Sequence, residues 1–182
     1  LLISPNAKHI PIASLNEAIA QKSITLMAPS KTFNIAGLQA SFAIIPNDTL
    51  RRSFSHTMGS MVGGVNLLGL CALKAAYKEG DAWLYALRSY LAENLSLVHD
   101  FIAKNPKLKL LEQEATFLAW IDASALHVKS PYEFFLNHGV GLSDGEPFGN
   151  QNFVRLNFGT SKTLLREILD RMQKAMDTLT KE

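Results

Sequence analysis

Apolar positions along the chain follow two periods, one of about two residues and one of three to four, and their alternation predicts an α/β fold. Ile24-Thr25-Leu26-Met27-Ala28 is an apolar run stopped by Pro29. Ser41-Phe42-Ala43-Ile44-Ile45 is a second, stopped by Pro46. Both predict short strands. Asp48 then offers an N-cap for a helix starting near Thr49. From Ser53 to Leu73 no charged residue occurs. The first half of that stretch is too polar for hydrocarbon, and it reads as a glycine-rich loop feeding a buried helix that carries Cys71 as a core residue.

The next stretch is helical. Leu84, Leu87, Leu91, Leu95, Val98 and Ile102 form one stripe, which Asn105-Pro106 ends. Leu108 to Leu111 and Phe117 to Ile121 predict strands. Ser130-Pro131 opens a short helix through Phe135 and Leu136. Phe153-Val154-Arg155-Leu156-Asn157-Phe158 alternates as a half-buried strand does. Ser161 caps a last helix with Leu165, Ile168, Met172, Ala175 and Leu179 on one face.

Composition narrows the class. The chain has 182 residues, 47% apolar and 19% charged, which excludes a disordered or fibrous protein. A formal net charge of +2 gives no basic footprint for nucleic acid or an anionic membrane. The single cysteine excludes a disulfide framework and suits a reducing, cytoplasmic setting. The opening Leu1-Leu2-Ile3-Ser4-Pro5 lacks the charged start and cleavage site of a signal peptide. It reads as the end of a strand belonging to something longer.

Candidate chemistry is sparse. Gly139-Val140-Gly141 with Gly145 misses the dinucleotide-loop spacing. The histidines are not paired at metal-ligand spacing, so no metal is expected. Two basic residues stand out by context. Lys31 follows an apolar strand and precedes a glycine turn, a setting that can aim an amine into a cleft for Schiff-base chemistry. A surface role is the other reading. Arg155 sits mid-strand between Val154 and Leu156, where an arginine needs an anion partner: a substrate carboxylate or a structural carboxylate.

The segment Met27-Ala28-Pro29-Ser30-Lys31-Thr32-Phe33-Asn34-Ile35-Ala36-Gly37-Leu38-Gln39 resembles the cofactor-lysine segment of class I/II aminotransferase-like enzymes. More narrowly it resembles the MalY/PatB-type cystathionine β-lyases, a branch of pyridoxal-phosphate C–S lyases. His9-Ile10-Pro11-Ile12-Ala13-Ser14-Leu15 is similar to the stretch ahead of that lysine. Phe153 to Gly159 is similar to the carboxylate-binding segment. The resemblance runs along essentially the whole chain in order.

It implies the C-terminal part of a fold-type I enzyme. Residues 1–80 would close a large mixed-sheet domain, 81–103 would be an interdomain helix, and 104–182 a small α/β domain. It implies pyridoxal 5′-phosphate bound to Lys31, which also moves the substrate Cα proton, with Ser30 near the phosphate. Arg155 would hold the substrate α-carboxylate. The loop Gly141 to Asn152 would skirt the substrate, and Asn66 would lie near a homodimer interface. The implied reaction is β-elimination from cystathionine or cysteine, giving a thiol, pyruvate and ammonia. An aminotransferase would share Lys31 and Arg155, and a non-catalytic piece is a third reading. The family pattern has a serine three before the lysine and an arginine eight after it; here Ala28 and Gln39 stand there. The ring-stacking aromatic, the asparagine near the ring oxygen and the aspartate at the pyridine nitrogen would precede Leu1.

Overall fold

The computed structural model describes residues 1–4 and 6–179, the Ser60 side chain excepted. The chain divides into two compact units, Leu1 with Lys8–Leu87 and Leu2–Ala7 with Arg88–Glu182. The division falls inside a helix rather than at a loop.

In the first unit a four-residue helix, α1 (Glu17–Ala20), is capped by Asn16, whose side chain accepts from Ile19 N–H. Strand β1 (Thr25–Met27) pairs antiparallel with β2 (Phe42–Ile44), in the register Thr25↔Ile44 and Met27↔Phe42. Helices α2 (Asp48–Met61) and α3 (Leu67–Glu79) follow. Two positions here differ from the sequence expectation. Asn47, not Asp48, caps α2: its extended backbone lets its side chain accept from Leu50 N–H at 2.9 Å. Asp48 becomes the first helical residue, where its charge suits the positive end of the helix dipole. Gly59, expected in a loop, lies within α2 and faces open space.

The expected buried helix is not buried. Among the described residues of α3 only Gly69 is buried, while Leu67 and Leu68 are 74% and 70% exposed and Cys71 is exposed. The reason is geometric. Apolar residues lie all around α3, so their spacing selects no face. What selects one is Gly69, which sits against the Leu38 carbonyl and the Ala40 methyl at a distance no side chain would permit.

The second unit is a helix-backed antiparallel sheet. Helix α4 (Asp81–Lys104) starts in the first unit and continues through the second. Then come β3 (Lys109–Leu110), β4 (Leu118–Asp122), α5 (Pro131–Asn137), β5 (Ser143–Asp144), β6 (Phe153–Asn157) and α6 (Lys162–Thr178). The strand order is β3-β4-β6-β5. Ser161 caps α6 through its side chain, as expected, and Ser130, expected to open the helix with Pro131, caps α5 the same way.

Strand periodicity decides what each face of this sheet does. Ala119 and Ile121 on β4 and Val154 and Leu156 on β6 are buried. They share a core with Val98, Phe135, Phe158, Leu165 and Met172. The intervening residues Trp120, Phe153 and Arg155 are only half-buried and occupy the other face. One residue of register slip would exchange these two sets.

A buried amide fixes the end of β6. Asn94 of α4 is fully buried, and its Nδ2 donates to Phe158 O at 2.8 Å and to Thr160 O at 2.9 Å. Asn94→Ala leaves both carbonyls without that donor. It should lower unfolding stability by about 2–3 kcal/mol, read as a lower urea midpoint with an unchanged m-value.

Candidate functional site

Lys31 is carried by a tight turn between β1 and β2. Pro29 stops the strand and is buried, and the turn closes by Phe33 N–H donating to Pro29 O at 2.8 Å and Ile35 N–H to Ser30 O at 3.1 Å. Asn34 and Gln39 adopt left-handed backbone, with φ of 54° and 51°, which reverses the chain toward β2. Phe33 anchors the turn. Its ring stacks on Trp83 at 5.8 Å and meets Tyr77 edge-on at 5.9 Å. Gly80 makes room for it, because a Cβ there would collide with Phe33 and the Ala76 carbonyl. Two residues from this anchor, the Lys31 side chain is exposed, and Ser30 beside it is half-buried. Among the described residues Lys31 Nζ has no hydrogen bond or ion pair. It is a free amine on a fixed backbone.

Ala28 lies just past the end of β1, on the strand side of the Lys31 turn. Gln39 lines a cavity of ≈ 690 Å³ together with Ser41, Arg51 and Asn66. Asn66 has a structural task in this unit: it caps α3 by accepting from Gly69 N–H at 2.8 Å and donates to Leu38 O at 2.8 Å. This ties α3 to the short helical turn Ala36–Leu38 that follows Lys31.

Arg155 lies in the second unit. On β6 it stands opposite Trp120 of β4 and Ser143 of β5. Its Nη2 donates to Ser143 Oγ at 3.3 Å. Its guanidinium carbon lies 4.6 Å from the centre of the Phe148 ring. Its Nε is buried and has no hydrogen-bond partner. No described carboxylate forms an ion pair with it within 4.0 Å. A buried guanidinium nitrogen without an acceptor costs free energy until an anion fills the position. Among the described residues, no structural carboxylate pairs with Arg155.

Phe148 was not singled out by sequence reasoning, nor were Ser143 and Phe33. Phe148 sits on a turn built to hold it. Gly149 takes φ 93°, and its N–H donates to Glu146 O at 2.9 Å. A Cβ on Gly145 would meet the carbonyls of Asn150 and Phe153. The sequence signal is the pair Gly145 and Gly149 that brackets Glu146-Pro147-Phe148, inside the loop Gly141 to Asn152 that the resemblance sets beside the substrate. Lys31 and Ser30 therefore belong to one unit and Arg155 to the other. No described helix is long and apolar enough to cross a membrane.

No family model matches the chain. Individual proteins do. It is similar to the cystathionine β-lyase PatB of Bacillus subtilis, at 39% identity over 176 residues, 93% of this chain and 46% of PatB. It is similar to protein MalY of Escherichia coli, at 32% identity over 78% of this chain and 38% of MalY. Among solved structures, OvoB matches with a TM-score of 0.93 and 48% identity over 97% of this chain and 46% of its own. Cystalysin from Treponema denticola, solved with its pyridoxal 5′-phosphate cofactor, matches with a TM-score of 0.93 and 34% identity over 98% of this chain and 47% of its own. The chain spans about half the length of the curated relatives it matches. Both the order of its elements and these likenesses place it in one lineage: the chain belongs to the class I/II aminotransferase-like, fold-type I pyridoxal-phosphate enzymes, in the branch of the MalY/PatB-type cystathionine β-lyases, and corresponds to a C-terminal portion of that fold.

Proposed function

We propose that this chain serves a pyridoxal-phosphate-dependent C–S lyase that cleaves a sulfur amino acid of the cystathionine or cysteine type into a thiol, pyruvate and ammonia. The observation that carries the reading is Arg155: a strand-borne guanidinium with a buried, partnerless Nε and no carboxylate paired to it. It matches the α-carboxylate of an amino acid in charge and in planar shape. The relatives named cystathionine β-lyase, 39% identical in the case of PatB, support elimination at a sulfur-bearing carbon over transamination.

The residues present fit the cofactor. Lys31 offers an unpaired amine on an anchored turn, and Ser30 offers a hydroxyl one residue away. Lys31 would hold the cofactor covalently and Ser30 would donate toward its phosphate. Bound, the cofactor supplies an electron sink for the charge left at the substrate Cα. The chain's own contribution is proton handling and orientation. Arg155 would hold the substrate carboxylate. Lys31 Nζ, released from the cofactor as the substrate amine takes its place there, would accept the Cα proton, and the sulfur would leave from Cβ as a thiolate.

The assignment is tested by incubating the protein with pyridoxal phosphate, reducing with borohydride and mapping the peptides. A pyridoxyl group on Lys31 is the expected result. Stable labelling of a different lysine overturns the role given to Lys31.

A further inference from the structure

We infer that Phe148 is the positioning residue of the Arg155 carboxylate clamp: its ring holds the guanidinium plane so that the unpaired Nε–H edge, beside the Ser143 hydroxyl, is presented to the carboxylate of the ligand. The inference rests on the reading of Arg155 as a carboxylate clamp. A guanidinium on a flexible side chain binds a carboxylate well only when its plane is set in advance, because bidentate pairing is directional. Three observations support a plane set in advance. Phe148 lies 4.6 Å from the guanidinium carbon, within cation–π range. Its own ring is pinned edge-on by Trp120, at 5.8 Å and 79°, and Trp120 is stacked on Phe153 at 5.3 Å. The backbone beneath it is fixed by Gly145 and by the left-handed Gly149. The ring, its brace and its turn thus form a single rigid support for one cation.

The ring also has an edge open to a ligand. Phe148 is 56% exposed, although its side chain is apolar and a packed core lies on the other face of the same sheet. Lying over a cation, the ring gains from the charge. Ser143 completes the edge. Its hydroxyl accepts from Nη2 at 3.3 Å, a long bond that leaves the neighbouring Nε free for an anion.

The test follows the Arg155 Nε–H resonance in the full chain labelled with ¹⁵N-arginine, identified by its loss in Arg155→Lys. L-alanine is the probe and alaninamide, which lacks the carboxylate, the control. In the wild type the resonance should carry an upfield ring-current displacement that Phe148→Leu removes. L-alanine should shift it and alaninamide should not. Phe148→Leu should raise the L-alanine concentration at half-shift by about tenfold, and Phe148→Trp should restore it. A Phe148→Leu protein that titrates like wild type, or whose free resonance does not move, overturns the inference and leaves Arg155 as the clamp. A wild-type resonance that ignores L-alanine, or answers alaninamide equally, removes the clamp itself and the inference with it.

Discussion

Lys31→Ala should leave the protein folded and lower thiol and pyruvate release from L-cystathionine by at least about 10³-fold, the scale of losing a positioned proton carrier. The fold should survive because the turn does not depend on this side chain. Pro29, Phe33 and the Trp83–Tyr77 ring cluster hold the backbone, and Lys31 Nζ touches no described partner. Circular dichroism and the thermal midpoint should therefore match the parent, while product release and borohydride labelling at this position vanish together. A variant that keeps more than a tenth of parental turnover would place the proton chemistry on another residue.

Arg155→Lys separates charge from shape. Lysine keeps the positive charge but has one ammonium in place of the planar fork. It should lower kcat/KM for amino-acid substrates by roughly 10- to 100-fold, the worth of one charge-assisted hydrogen bond, with most of the change in KM. Cofactor labelling at Lys31 should be unchanged, since Lys31 and Arg155 lie in different units. Parental kcat/KM in this variant would make Arg155 a structural residue. Salt gives an independent check, because the ring, the strands and the missing carboxylate partner all leave the guanidinium available to competing anions.

What the sequence disclosed depended on whether a local signal was sufficient. Helix starts were legible where a local signal sufficed: a serine before a strong apolar period at Ser161, and Pro131 in the first turn after Ser130. At Asn47-Asp48 both residues are good caps, and only the backbone angle at Asn47 decided between them. The strand carrying Arg155 was legible because alternation is a two-residue signal that needs no distant information. The exposure of α3 was not legible, since an apolar sequence states what could be buried and not what lies beside it. Lys31 and Arg155 could be named from their flanking residues. Their supports could not. Phe148 reaches Arg155 through a turn seven residues away, and Phe33 reaches Trp83 across fifty, so both depend on tertiary placement.

The sheet of the second unit has one more consequence, for behaviour at high concentration. Its two outer strands, β3 and β5, are two residues long each, whereas the inner pair, β4 and β6, runs five residues each. A stranger's strand needs a run of unpaired backbone groups on which to zip, and neither margin provides one. Lys109 adds a charge to one margin, and on the other Pro147, without an N–H, follows three residues after the end of β5. Each margin of this sheet thus ends in a two-residue strand beside a charge or a proline, and offers a neighbouring molecule only a short ladder for intermolecular β-pairing.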